Sequence, residues 1–135
     1  KKLTMENLTS NATEILLLVF LTITFLQSGI DKVLDWKGNL SWLTGHFAKS
    51  LFRGGVPALL GIITVLEMIS GILCGVGIFQ FAIDGEGTMG QYGAILSAIT
   101  LLMLLLGQRV ARDYDGARTI VVYLIPTVFL VYLIS

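Results

Sequence analysis

The chain has 135 residues, of which 55% are hydrophobic and 13% charged, with no net charge and a mean hydropathy of +0.85. Soluble domains carry about a quarter charged residues, so an ordinary soluble domain is excluded, and the charges gather between long apolar runs as in polytopic membrane proteins. No dense basic stretch offers nucleic acid a footprint. One cysteine and one histidine exclude an internal disulfide, a paired-cysteine redox centre and a histidine-paired haem or dinuclear metal.

The first predicted element is a membrane span over roughly Ile15 to Ile30. It follows a polar tail and has no small-residue cleavage site behind it, so a retained helix is expected rather than a signal peptide. Thr24, Gln27, Ser28 and Asp31 share one side of it. The connection from Asp31 to Gly55 is too apolar for a plain loop. From Leu40, the residues Leu43, Phe47 and Leu51 recur at helical spacing, while Trp36 and Trp42 suit the headgroup layer. This predicts a short interfacial helix, ended by "RGGVP". His46 within it reads as a solvent or headgroup contact.

The second span covers Val56 to Ile83. At helical pitch, Thr64, Glu67, Ser70, Gly71 and Cys74 fall within an arc of about 120°, and Glu67 lies about 16 Å beyond Val56, near mid-depth. A charge facing lipid there costs several kcal/mol, so Glu67 is expected to face the bundle interior. Desolvation disfavours its ionised form. The expectation is a neutral acid hydrogen-bonded to Gln27, Thr24, Ser97, Tyr123 or a partner, with Lys32, Arg53 and Arg109 too far away at the span ends unless a side chain snorkels inward. Three roles stay open for it: a pin between helices, a quinone-headgroup or proton-relay acid, and a contact to another subunit. Cys74 on the same face reads as a small buried hydrophobe.

The third span covers Met89 to Gly107 and the fourth Thr119 to Ile134, with Pro126 inside the latter. Gly90, Gly93, Ser97 and Thr100 share one side of the third span, and Gly71, Gly75, Gly93 and Ser97 have the spacing that lets helix backbones approach closely. Between these spans, "GQRVARDYDGAR" is the densest polar stretch. Its Arg109, Arg112, Asp113, Asp115 and Arg118 form either a self-paired turn or a docking surface for a partner or anionic lipid. With four spans, the first and third connections share a side, and they hold seven Lys and Arg against two in the N-terminal tail. Both connections are therefore expected in the cytoplasm. The expected fold is all-α: residues 1–135 as a single transmembrane domain, a four-helix bundle with a short interfacial helix between spans 1 and 2 and no soluble tail after Ser135.

Three stretches, "FLQSGIDKVLDW", "VPALLGIITVLEMISGILCGVG" and "GQRVARDYDGA", resemble the DoxX family of small four-helix bacterial membrane proteins. Ser28, Gly29 and Lys32 match a Ser/Gly pair followed by Lys; Pro57, Glu67, Gly71 and Gly75 match a proline opening the second helix and a Glu followed by glycines. The resemblance implies a bacterial cytoplasmic (inner) membrane and links to terminal quinol oxidation, thiosulfate:quinone chemistry and the assembly of other membrane proteins. Without redox metal ligands or a cysteine pair, this chain has no electron-transfer centre of its own. The expected function is an accessory or assembly subunit of a larger respiratory or redox complex, in contact with lipid and other membrane subunits. Two alternatives remain: a quinone-interacting oxidoreductase component with Glu67 near the headgroup or proton path, and a small transporter. Quinone is the one candidate cofactor.

Overall fold

Each of the four apolar runs forms one continuous helix that equals or outruns it. The computed structural model describes residues 3–135. In chain order the helices are α1 (Met5–Ser10), α2 (Ala12–Leu34), α3 (Trp36–His46), α4 (Val56–Asp84), α5 (Thr88–Val110) and α6 (Tyr114–Ile134), with no strand among the described residues. Helices α2, α4, α5 and α6 are long and apolar enough to cross a membrane, and together they make an all-α membrane bundle.

Local chemistry sets the helix ends. Asp35 caps α3 by accepting from the Gly38 N–H, and Asp113 caps α6 by accepting from the Gly116 N–H at 2.9 Å. Pro57 stands in the first turn of α4, where its missing N–H costs nothing. Gly85 ends α4 with φ 72°, a left-handed conformation that glycine adopts without a Cβ penalty. The polar N-terminal tail forms α1 rather than remaining extended. Its Asn7 amide donates to the carbonyls of Ala82 and Ile83 at 3.3 and 3.1 Å, taking up the open carbonyls at the end of α4.

The connecting helix differs from its sequence expectation. It begins at Trp36 and ends at His46, so Phe47 and Leu51 lie beyond it, and Leu51 is 92% exposed. The Ser50 hydroxyl donates to the Phe47 carbonyl and accepts the Phe52 N–H. The side chain thereby takes over backbone groups that a continuing helix would have used.

Packing runs α2 on α4, α4 on α5 and α5 on α6, and the ring closes through a much thinner contact between α6 and α2. The inward faces of α4 and α5 are the ones that the sequence marks as small and polar: Thr64, Glu67, Ser70, Gly71, Cys74, Gly90, Gly93, Ser97 and Thr100 are all buried. Lipid tails are as apolar as a leucine core, so close backbone approach and satisfied hydroxyls favour association here. Ser70 and Thr100 meet at 3.5 Å, Cys74 and Ser97 at 3.6 Å, and Thr64 bonds back to the Leu60 carbonyl at 2.7 Å.

Helix α2 is arranged differently. Its buried residues are Leu18, Leu21, Phe25 and Gly29, whereas Gln27 and Asp31 are exposed. The polar side noted in the sequence therefore does not face the core. It borders the thin seam with α6.

Candidate functional site

The acid in α4 has a counter-ion. Lys32, two residues from the end of α2, places its Nζ 2.8 Å from Glu67 Oε1. The same ammonium donates to Ser28 Oγ at 2.7 Å, one turn earlier on its own helix. The Glu67 side chain is 4% exposed and the Lys32 side chain 16%. Among the described residues no hydroxyl or amide hydrogen-bonds to Glu67 Oε1, so the ammonium is its polar neighbour. The partner expected among Gln27, Thr24, Ser97 and Tyr123 is thus Lys32 of α2 instead.

Helix length explains the difference. The 29 residues of α4 span about 43 Å, well over the hydrocarbon thickness of about 30 Å. Measured from Val56, Glu67 looks central; measured from the end of α2, it lies within one lysine side chain of the span end. A flexible butylammonium stem crosses that distance along apolar surface with its charge on a partner. In the sequence, Ser28 and Lys32 four residues apart on one face are the signal that the ammonium turns inward.

Beside the pair is a cavity of about 370 Å³. Thr24, Gln27 and Ser28 of α2, Glu67 of α4, Leu101 and Leu104 of α5, and Ile120 and Tyr123 of α6 contribute to its walls. Its walls draw on both α2 and α6, the two helices whose thin contact closes the ring. Thr24 has its hydroxyl committed to the Phe20 carbonyl. Gln27 and Tyr123 make no side-chain hydrogen bond among the described residues, and the Tyr123 ring lies 6.0 Å from that of Phe20. The cavity thus combines apolar walls, two polar side chains with bonding capacity to spare and the carboxyl group of Glu67, whose partner Lys32 stands outside its lining.

No family model, curated protein or solved structure matches this chain. The functional reading accordingly rests on geometry.

Of the other candidate residues, Thr64 and Cys74 are buried but take no part in the cavity. Gly71 and Gly93 are true contact points. A Cβ on Gly71 would stand 2.6 Å from Leu26, and one on Gly93 would stand 2.8 Å from the Cys74 nitrogen. Gly75 is not, since a Cβ there meets nothing nearer than Thr22 at 3.8 Å. The close pair missing from the sequence reading is Gly77 with Gly90, whose backbones nearly touch.

The polar turn before α6 is largely self-paired. Asp113 caps α6, Arg109 lies over the Tyr114 ring at 4.7 Å, and Arg118 reaches Asp115 at 3.6 Å. Arg112 is exposed, with φ 60°. His46 is no loose headgroup contact. Its Nε2 pairs with Gln108 Oε1 at 2.8 Å and lies 3.7 Å from Asp113 Oδ2, and its ring stacks on Trp42. It fastens α3 to the end of α5 and the start of α6.

Proposed function

We propose that the protein is a quinone-binding accessory component of a larger membrane redox assembly, DoxX-like, in a bacterial cytoplasmic membrane. The observation that carries this reading is the cavity of about 370 Å³ at the α2–α6 seam, with Glu67 in its wall. Small-molecule pockets usually fall between about 300 and 1,000 Å³ and join apolar walls to a few placed polar groups. A quinone head is a flat apolar ring with two carbonyl acceptors, and it is delivered from lipid. Tyr123, Gln27 and Ser28 supply donors for carbonyls, while Leu101, Leu104 and Ile120 supply apolar wall.

Two further observations support the reading. Ser28, Lys32 and Glu67, which carry the family resemblance from separate stretches, come together at one buried pair. The close-packed glycines Gly71, Gly77, Gly90 and Gly93 are used inside the bundle, so they are not a surface for partners. Electron transfer is assigned to partner subunits, because one cysteine and one histidine leave this chain neither a cysteine pair nor a histidine pair for a redox centre. The role of Tyr123, Gln27 and the Lys32–Glu67 pair is to bind and orient the ring.

The test is quinone retention after purification into nanodiscs. Ile120→Trp, which fills this cavity, should abolish retention. Tyr123→Phe, which deletes one donor, should weaken it by up to about tenfold. Absence of quinone from the wild type, or undiminished retention by a folded Ile120→Trp protein, would count against the reading.

We place the first and third connections in the cytoplasm, on the seven-to-two excess of Lys and Arg. The reporter is best sited at Arg118, whose side chain is 78% exposed. Gly116 is a poor choice, because a Cβ there would stand 2.7 Å from the capping carboxylate of Asp113. An Arg118→Cys protein should resist an impermeant maleimide in intact spheroplasts and react once they are opened. Labelling without opening reverses the assignment.

A further inference from the structure

On the opposite side of the Lys32–Glu67 pair is a second cavity, of about 300 Å³, roofed by α3 and walled by α4 and α5. Lys32 contributes to this cavity and Glu67 to the first, so the ion pair is the partition between them. Leu59, Ile63 and Met103 belong to its apolar wall, together with the buried Val56 and Leu60, and Trp42, Phe47 and Phe52 form an aromatic collar at the level of the connection. Helix α3 buries none of its residues. Its four apolar side chains, Trp36, Leu40, Trp42 and Leu43, thus all stay partly or largely exposed, and two of them line this cavity.

Charge identifies the occupant. The first and third connections with their flanking turns carry six exposed cations, Lys37, Lys49, Arg53, Arg109, Arg112 and Arg118, against four acids, Asp31, Asp35, Asp113 and Asp115. Every one of the acids is engaged: Asp31 accepts from Asn39, Asp35 and Asp113 cap helices, and Asp115 meets Arg118. Lys37, Lys49, Arg53 and Arg112 have no acidic partner among the described residues. Lys49 and Arg53 directly bracket the turn that sends Phe52 into the collar. Basic residues at a membrane surface attract anionic headgroups, and aromatic collars mark the headgroup level.

We infer that this cavity holds one anionic phospholipid of the adjacent leaflet, with an acyl chain between α4 and α5 under α3 and its phosphate beside Lys49 and Arg53. The inference is independent of the quinone reading, because it uses the other cavity. Bound there, the lipid completes the packing that α3 lacks and buttresses the Lys32 side of the ion pair.

Native mass spectrometry of the full chain released from bilayers of equal phosphatidylglycerol and phosphatidylcholine tests this. The wild type should keep one phosphatidylglycerol. Lys49→Gln with Arg53→Gln, both at exposed positions, should cut the preference for phosphatidylglycerol by about thirtyfold. Ile63→Trp, filling the cavity from its apolar wall, should release the lipid while quinone retention stays intact. Ile120→Trp should do the reverse. Thermal unfolding with and without added phosphatidylglycerol gives a second reading that survives poor expression of Ile63→Trp: the wild type should be stabilised and the double Gln variant should not. Equal retention of the two lipids, a double Gln variant with unchanged preference, or loss of quinone rather than phospholipid from Ile63→Trp overturns the inference.

Discussion

Lys32→Met should destabilise the bundle by about 3–5 kcal/mol, the range for a buried pair that loses one partner, and Glu67→Leu should cost less. The asymmetry follows from reach. Lys32 stands two residues from the end of α2 with its side chain 16% exposed, so without Glu67 its ammonium can swing out to the headgroups. Glu67 is 4% exposed on a short side chain and has no such retreat. Replacing both residues with apolar ones of similar volume should recover most of the loss, since such exchanges are often neutral or stabilising. Unfolding of the reconstituted wild type, both single variants and the double variant closes a cycle that isolates the pair. Equal losses from the two single variants would overturn the asymmetry, and additive losses in the double would show that the pair is not a unit.

The second large effect separates glycines that look alike in sequence. Gly77→Ala should loosen the α4–α5 contact, because the new Cβ would lie 2.6 Å from the Gly90 Cα and no flexible side chain is there to yield. Overpacking of this kind costs about 1–3 kcal/mol. Gly93→Ala belongs with it, being 2.8 Å from backbone at Cys74. Gly75→Ala should instead be neutral or gain up to about 1 kcal/mol, since its Cβ meets only ordinary contact and alanine is the better helix former. Thermal unfolding in detergent ranks the three. A Gly75→Ala protein as weak as Gly77→Ala would mean that spacing alone governs the interface.

The sequence made some of this legible because membrane helices obey a strong constraint. Every backbone polar group must be satisfied within the span, so four apolar runs become four helices, and the polar arc from Thr64 to Cys74 turned inward as its spacing requires. Legibility failed where two helices had to be aligned with each other. Depth counted along α4 alone put Glu67 near the midplane, yet depth depends on how far α4 overhangs α2, which no single-helix pattern contains. The same holds for Gly77 and Gly90: Gly90 marks only the small face of its own helix, Gly77 stands outside the arc from Thr64 to Cys74, and only the register between α4 and α5 brings their backbones together. Gly75 erred in the other direction, a small residue at the right spacing on a part of the helix with room to spare. His46 was misread because its partner Gln108 stands 62 positions away.

The ion pair also constrains how the chain enters a membrane during synthesis. A carboxylate without a partner inside a span opposes insertion, and Glu67 lies eleven residues inside α4. The lysine that neutralises it belongs to α2, which leaves the ribosome first. While α4 is still being made, Lys32 can keep its ammonium among the headgroups at no great cost. When α4 arrives, the two charges can enter together as a hairpin of no net charge around the pair. Chain order therefore supplies each charged residue with its solution at the moment it is needed. Transposing α2 behind α4 would leave every final contact possible while removing the insertion partner when Glu67 needs it.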